Sequence, residues 1–255
     1  MHVTITTINT WKCEGDYFPR MEALARQLSA LDAGVILAQE CFRTADGAVD
    51  TLSFLSKTLQ MTASRAESRV KRRRFRDHWV ESSSGLGVLT TCPVRSETIL
   101  ALPTDEKDGG RVAQCVVLEP KPDTLLFIAN VHLSHVPGDG SLRADQLEVV
   151  LRAADASGAA YRLIGGDFNA DAGSDEMRAI RRRAVDAYVH GGGHAPRISL
   201  VTANRCVDYL FIYPFPGTAH YPHCTNARIV LDQQDAESGL YPSDHFGCST
   251  TLILE

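Results

Sequence analysis

Residues 161–169 read Tyr-Arg-Leu-Ile-Gly-Gly-Asp-Phe-Asn, an apolar run from Tyr161 to Ile164 that breaks into glycine and then into Asp167 and Asn169. A short apolar run bounded by glycine has the signature of a buried strand. The polar pair sits at its carboxyl end, where sheets flanked by helices place ligands.

Upstream, Leu125 to Leu133 is a second apolar run, and Leu142, Leu147, Val150 and Leu151 mark a helical stretch over Ser141 to Ala156. The order is strand, helix, strand. The same order opens the chain. Val3 to Thr10 alternates as a strand does, Phe18, Met21, Leu24, Leu28 and Leu31 recur at helical spacing, and Val35 to Ala38 is apolar again. Two similar halves are expected. Between and after them lie β-like runs at Gly85 to Thr91, Val94 to Leu102, Arg111 to Glu119, Cys206 to Tyr213, Thr225 to Leu231 and Phe246 to Leu254. With strands outnumbering helices, the expected fold is an α/β sandwich: two mixed β-sheets packed face to face with helices outside.

The chain has 255 residues, 44% hydrophobic and 22% charged, which matches ordinary globular usage and excludes a disordered or fibrous protein. No change of composition marks a linker, so residues 1–255 are read as a single domain. The first twenty residues lack the basic start and apolar run of an export signal, and no apolar stretch is long enough to span a membrane. A cytoplasmic protein without membrane contact is expected, with no obligate protein partner evident. Seven cysteines, an odd number without CxxC spacing, are read as buried thiols rather than a disulfide framework. Net charge is −5, but residues 65–76 concentrate seven of the 26 basic side chains. Arg72, Arg73 and Arg74, with Arg111 after Gly109-Gly110, are candidate phosphate contacts; the alternative is a solvated loop between strands.

The other polar interruptions of apolar strands are Asn9, Gln39-Glu40, His132, Asp208 and, just before the last strand, Asp244-His245. A carboxylate such as Asp208 inside an apolar run is costly to bury alone. Its natural partner is an imidazole, whose tautomer it would fix, and His245 is the candidate. Carboxylates with an asparagine, and no thiolate or paired-histidine spacing, make an oxygen-rich set that suits Mg2+, with Mn2+ as substitute, better than zinc.

Taken in order, Asn9, Gln39-Glu40, Asn130-Val131-His132-Leu133, Gly166-Asp167-Phe168-Asn169, Asp208-Tyr209 and Ser243-Asp244-His245 resemble the motifs of the endonuclease/exonuclease/phosphatase superfamily, whose members include pancreatic deoxyribonuclease. The resemblance runs over nearly the whole chain and implies a four-layered α/β sandwich. It implies metal ligation by Glu40, assisted by Asn9 and Asp244, and places Asp167 and Asn169 at the scissile phosphate. It makes His245, oriented by Asp208, the central catalytic group. His132 resembles a second catalytic histidine, a general acid that Glu67 would orient. Whether one or two metals act stays open.

Among the branches, the Asn9-Thr10-Trp11 opening is similar to tyrosyl-DNA phosphodiesterases. Ala170-Asp171 departs from the pattern of that branch after GDxN and from that of inositol polyphosphate 5-phosphatases. The implied activity is hydrolysis of phosphodiester bonds, with nucleic acid the first substrate class. A small phosphorylated metabolite or phospholipid headgroup is the second. A catalytically silent binding module is the third, and loss of a metal ligand or a catalytic histidine would signal it.

Overall fold

Strand β1 (His2–Asn9), helix α1 (Tyr17–Ser29) and strand β2 (Val35–Thr44) form the first crossover of the computed structural model, which describes residues 1–194 and 197–255. Helix α2 (Thr51–Leu59) and strands β3 (Thr62–Ala66), β4 (Lys71–Phe75), β5 (His78–Thr90), β6 (Val94–Leu102) and β7 (Arg111–Lys121) follow. The second crossover is β8 (Thr124–His132), α3 (Gly140–Ala156) and β9 (Tyr161–Asp167). After it come short helices α4 (Arg178–Arg181) and α5 (Ala187–His190), the latter preceded by β10 (Val185–Asp186), and then β11 (Asp208–Ile212), β12 (Cys224–Val230) and β13 (Gly247–Ile253).

One sheet has the order β12-β13-β1-β2-β5-β3, with β4 also on β5; the other is β10-β11-β9-β8-β7-β6. In each, the two crossover strands are parallel and central, flanked by antiparallel neighbours: β13 and β5 beside β1 and β2, β11 and β7 beside β9 and β8. The two halves therefore repeat one topology, as the sequence periodicity suggests.

Alternation along the strands makes the layers. Val3, Ile5, Leu37, Leu126, Ile128, Leu163 and Leu210 face the space between the sheets and pack there. Their neighbours face outward. Ile8, Ile36 and Ala38 meet Met21, Leu24 and Leu28 of α1 and Leu52 and Leu55 of α2, while Ala129, Val131 and Ile164 meet Leu147, Val150 and Leu151 of α3. The result is helix, sheet, sheet, helix, the expected four-layered sandwich. Six of the seven cysteines are buried, and Cys206 is half-buried; all are free thiols. Among the described residues no helix is long and apolar enough to cross a membrane.

The basic run does not form a loop. Residues 71–75 are β4, paired with β5 in the register Lys71↔Ser82 to Phe75↔His78. Its sequence obscures this, because arginine after arginine hides the alternation that normally betrays a strand.

Candidate active site

Where the inner face of the sandwich reaches the carboxyl ends of the central strands, it turns from apolar to polar. The inner face of β8 reads Leu126, Ile128, Asn130, His132, and that of β1 reads Val3, Ile5, Thr7, Asn9. In register, His132 stands opposite Asp167, and Asp167 opposite Asp208. Three strand ends thus present one polar row, and Asn9 of the facing sheet reaches it: Asn9 Nδ2 donates to Asp167 Oδ2 at 3.1 Å.

Glu40 arrives by a different device. Straight alternation would point it outward with Ala38 into the α1/α2 core. Pairing of β2 with β5 instead slips between Ala38 and Cys41, and Glu40 takes a left-handed φ of 57°. Two residues of β2 then oppose one of β5, a bulge, and bulges re-aim side chains. Glu40 lines the cavity, while Cys41 and Phe42 return to the helix-side core.

Asp244 and His245 come from the segment before β13. Ser243 Oγ donates to the Asn9 carbonyl at 2.6 Å and accepts from His245 N at 3.2 Å, tying this segment to the end of β1. Arg20 adds a second tie. Its buried guanidinium stacks 4.8 Å from the Trp11 ring and donates to the carbonyls of Pro242 at 2.7 Å and Glu14 at 2.7 Å.

The electrostatics separate the site residues. His245 Nδ1 donates to Asp208 Oδ2 at 2.8 Å. Burial alone would hold the imidazole down, but the carboxylates of Asp208, Asp167 and Asp244 outweigh it and raise its pKa to about 10. His245 is a cation at neutral pH. Asp167 is pushed up by burial and by the charge of Asp208, against His245 and the hydrogen bonds from Asn169 N and Asn9. His132 goes the other way. Burial, and then Arg111, Lys12 and His245, hold it well below the ordinary histidine value. Its Nε2 lies 3.6 Å from Asp167 Oδ2.

Asn9, Glu40, His132, Asp167, Asn169, Asp244, His245, Arg111 and Arg73 all line one cavity of about 790 Å³. Asp208 lies behind His245. Arg72 and Arg74 are not brought to it. Arg72 stacks 5.6 Å from the Trp79 ring, and Arg74 Nε donates to the Arg76 carbonyl. Alternation along β4 puts Arg73 on the face opposite to these two. Glu67 does line the cavity, but its carboxylate accepts from Arg43 Nη1 at 3.0 Å and Ser83 Oγ at 2.6 Å rather than from His132. Arg111 is held by Asp108, donating to it from Nε and Nη2 at 3.0–3.1 Å.

Sequence reasoning passed over Lys12 and Asp108, and held Arg69 and Lys71 only as members of the basic run 65–76; all four line the cavity. The spacing 69, 71, 73 within the basic run was the available signal. Nothing local marks Asp108, whose role appears only once Arg111 meets it.

Two oxygen-rich groupings could hold a cation. Side-chain donor atoms of Asp167, Asp208 and His245 lie within 4.8 Å of one another. That imidazole is a cation engaged with Asp208, so it is a poor ligand. Glu40, Asp244 and Asn9 fit better. The Asp244 carboxyl is pushed up by burial, and the charge of Glu40 adds to that rise, so two carboxylates crowd each other. The Lys12 ammonium, 2.8 Å from Glu40 Oε1, supplies part of the positive charge they require. An all-oxygen set short of positive charge suits a hard divalent ion.

The sequence profile of the Endonuclease/Exonuclease/phosphatase family matches residues 6–245. Solved structures with the same fold include a protein of unknown function from Enterococcus faecalis, 18% identical with a TM-score of 0.75, the match covering 99% of this chain and 100% of that one. An endonuclease/exonuclease/phosphatase family protein from Leptotrichia buccalis is 16% identical with a TM-score of 0.77, over 99% and 100%. Caenorhabditis elegans TDP2, in truncated form, is 16% identical with a TM-score of 0.71, over 100% and 98%. No curated protein is similar enough to the chain to count as a relative.

Proposed function

The chain belongs to the endonuclease/exonuclease/phosphatase family, and on that footing we propose that it is a divalent-metal-dependent hydrolase of phosphate esters, with phosphodiesters of nucleic acid as the first substrate class. One observation carries the reading: His245, paired at 2.8 Å with the buried Asp208, faces the same cavity as the carboxylates of Asp167, Glu40 and Asp244.

Glu40, Asn9 and Asp244 would hold Mg2+, with Mn2+ as substitute. Such an ion would supply positive charge to a phosphoryl oxygen. The chain's own residues do the rest. His245 donates a hydrogen bond to the charge that develops on phosphorus oxygens, and Asp208 keeps that proton available and the ring aimed. Asp167, raised toward neutrality, is suited to take a proton from an attacking water. Asn9 and the Asn169 backbone N–H hold its carboxylate in place for that step. His132 is neutral in the free site and presents an N–H. An acid role requires an anionic substrate whose charge offsets the burial and, after it, the cations that hold its pKa down.

A small phosphorylated metabolite is the second reading, favoured by a cavity volume in the range of pockets for small ligands. A silent binding module lacks support, since metal donors and both histidines are present. The decisive test is magnesium- and manganese-dependent hydrolysis of bis(p-nitrophenyl) phosphate, p-nitrophenyl phosphate, plasmid and single-stranded oligonucleotide by the wild type, Glu40→Ala and His245→Ala. Metal-dependent turnover lost in both variants supports the reading; turnover that survives both removes it.

A further inference from the structure

Three cations on the cavity wall form no ion pair among the described residues. Lys12 is paired with Glu40 and Arg111 with Asp108, but among the described residues Arg69, Lys71 and Arg73 have no carboxylate within ion-pair distance. Of the other acids on the cavity wall, Glu67 is taken up by Arg43, Arg65 and Ser83, and Glu40 and Glu14 attract Arg73 only from beyond ion-pair distance. Arg73 is half-buried and among the described residues donates only to neutral oxygens, the Ser82 carbonyl at 2.7 Å, Ser82 Oγ at 3.1 Å and Ser84 Oγ at 2.9 Å. Lys71 makes no side-chain hydrogen bond among the described residues. Partial desolvation and the charges of Arg69, Arg73, Lys12 and Arg111 lower its pKa.

The same wall spans both sheets. Arg69 crosses from the segment before β4 to the loop before β7, donating to the Asp108 carbonyl at 3.3 Å, and packs so closely that a Cβ on Gly109 would lie 1.7 Å from its Nη1. Parts of the two sheets therefore meet there, and the three cations, Arg73 half-buried and Arg69 and Lys71 exposed, line one side of the open cavity that also holds the candidate catalytic residues. Like charges converging in a concave wall repel, and an anion placed among them removes the repulsion while accepting charge-assisted hydrogen bonds.

Resting on the reading of this cavity as a phosphoesterase site, we propose that Arg69, Lys71 and Arg73 form a subsite for a second phosphate of the substrate, additional to the ester that is cut. The preferred substrate then carries a terminal phosphate, either on a nucleic acid end or on a small bisphosphorylated ester.

The test compares the p-nitrophenyl ester of thymidine 5′-phosphate with and without a 3′-phosphate, and a short oligonucleotide with and without a terminal phosphate. The wild type is expected to favour the phosphorylated member in kcat/KM by roughly tenfold or more, the scale of one charge-assisted contact. Lys71→Glu is expected to erase that ratio. Because this side chain holds nothing in the fold, lost folding does not confuse the result, and Arg73→Ala gives a second reading. Preference in the thymidine pair assigns a small ester, and preference in the oligonucleotide pair alone assigns a strand end; both support the subsite. Equal kcat/KM within each pair in the wild type overturns it. If no ester is turned over, the phosphoesterase reading fails, and the subsite is judged by calorimetry without metal. Pyrophosphate binding about tenfold tighter than orthophosphate, with the difference lost in Lys71→Glu, supports it. Equal affinities overturn it.

Discussion

Gln39 Nε2 of β2 donates to Asn130 Oδ1 of β8 at 2.8 Å, joining the two sheets directly beneath the polar row. Asn130 in turn donates to the carbonyls of Ala38 and Gly87, each at 3.0 Å. Both amides are fully buried, and the two carbonyls that Asn130 reaches belong to Ala38 and Gly87, the register pair immediately before the bulge that carries Glu40.

Replacing Asn130 with leucine takes the side-chain donor from the Ala38 and Gly87 carbonyls and removes one acceptor from the Gln39 amide, which keeps Thr7 Oγ1 and the Leu37 carbonyl. Loss of about 2 kcal/mol or more of unfolding free energy is expected, read from urea denaturation. A change under about 0.5 kcal/mol, the size of an ordinary surface substitution, would mean that the clamp is dispensable.

Glu40 itself stands in a left-handed conformation. Glycine relieves roughly 1 kcal/mol of backbone strain there, and the exposed side of the Lys12 pair contributes no more than about as much. Glu40→Gly should therefore fold with wild-type stability to within about 1 kcal/mol. Its metal-dependent kcat/KM should fall at least about a hundredfold, since partners one step removed from a metal are already worth ten- to a hundredfold. Parallel melting curves and metal titrations check both halves.

His245 has a folded pKa of about 10 against an ordinary 6.5, so it is raised. The stability contributed by its pair with Asp208 is fully present below pH 6.5 and is lost as pH rises toward 10. The Tm difference between wild type and Asp208→Asn should be largest below pH 6.5 and shrink through that window. The alkaline limb of kcat should move to lower pH in the same variant. A Tm difference that stays constant across the window would refute the assignment.

Of the arginines at 72–74, only Arg73 lines the cavity. If a single strand is bound, Arg73→Ala should reduce the slope of log affinity against log salt by about 0.7. Arg72→Ala, which loses a stack on Trp79, should reduce it less. Fluorescence titration of a labelled oligonucleotide over a salt series measures both, and equal reductions would contradict the alternation along β4.

Periodicity alone determined the two strand-helix-strand units, the outer helices and the candidate residues at strand ends, because burial of alternate or every third to fourth side chain is a local constraint written along the chain. Ordered motifs then singled out Asn9, Glu40, Asp167, Asp208, Asp244 and His245 as candidates without coordinates. Tertiary structure decided what depends on partners distant in sequence. Asp208 and His245 meet across 37 residues and Asn9 and Asp167 across 158, and only that meeting separates a protonated His245 from a neutral His132. The bulge at Glu40 is equally invisible in the run Val35 to Thr44, since a slip of register belongs to two strands. Arg69, Lys71 and Arg73 became a wall for the same reason: which side of a strand faces a cavity is set by what that strand pairs with.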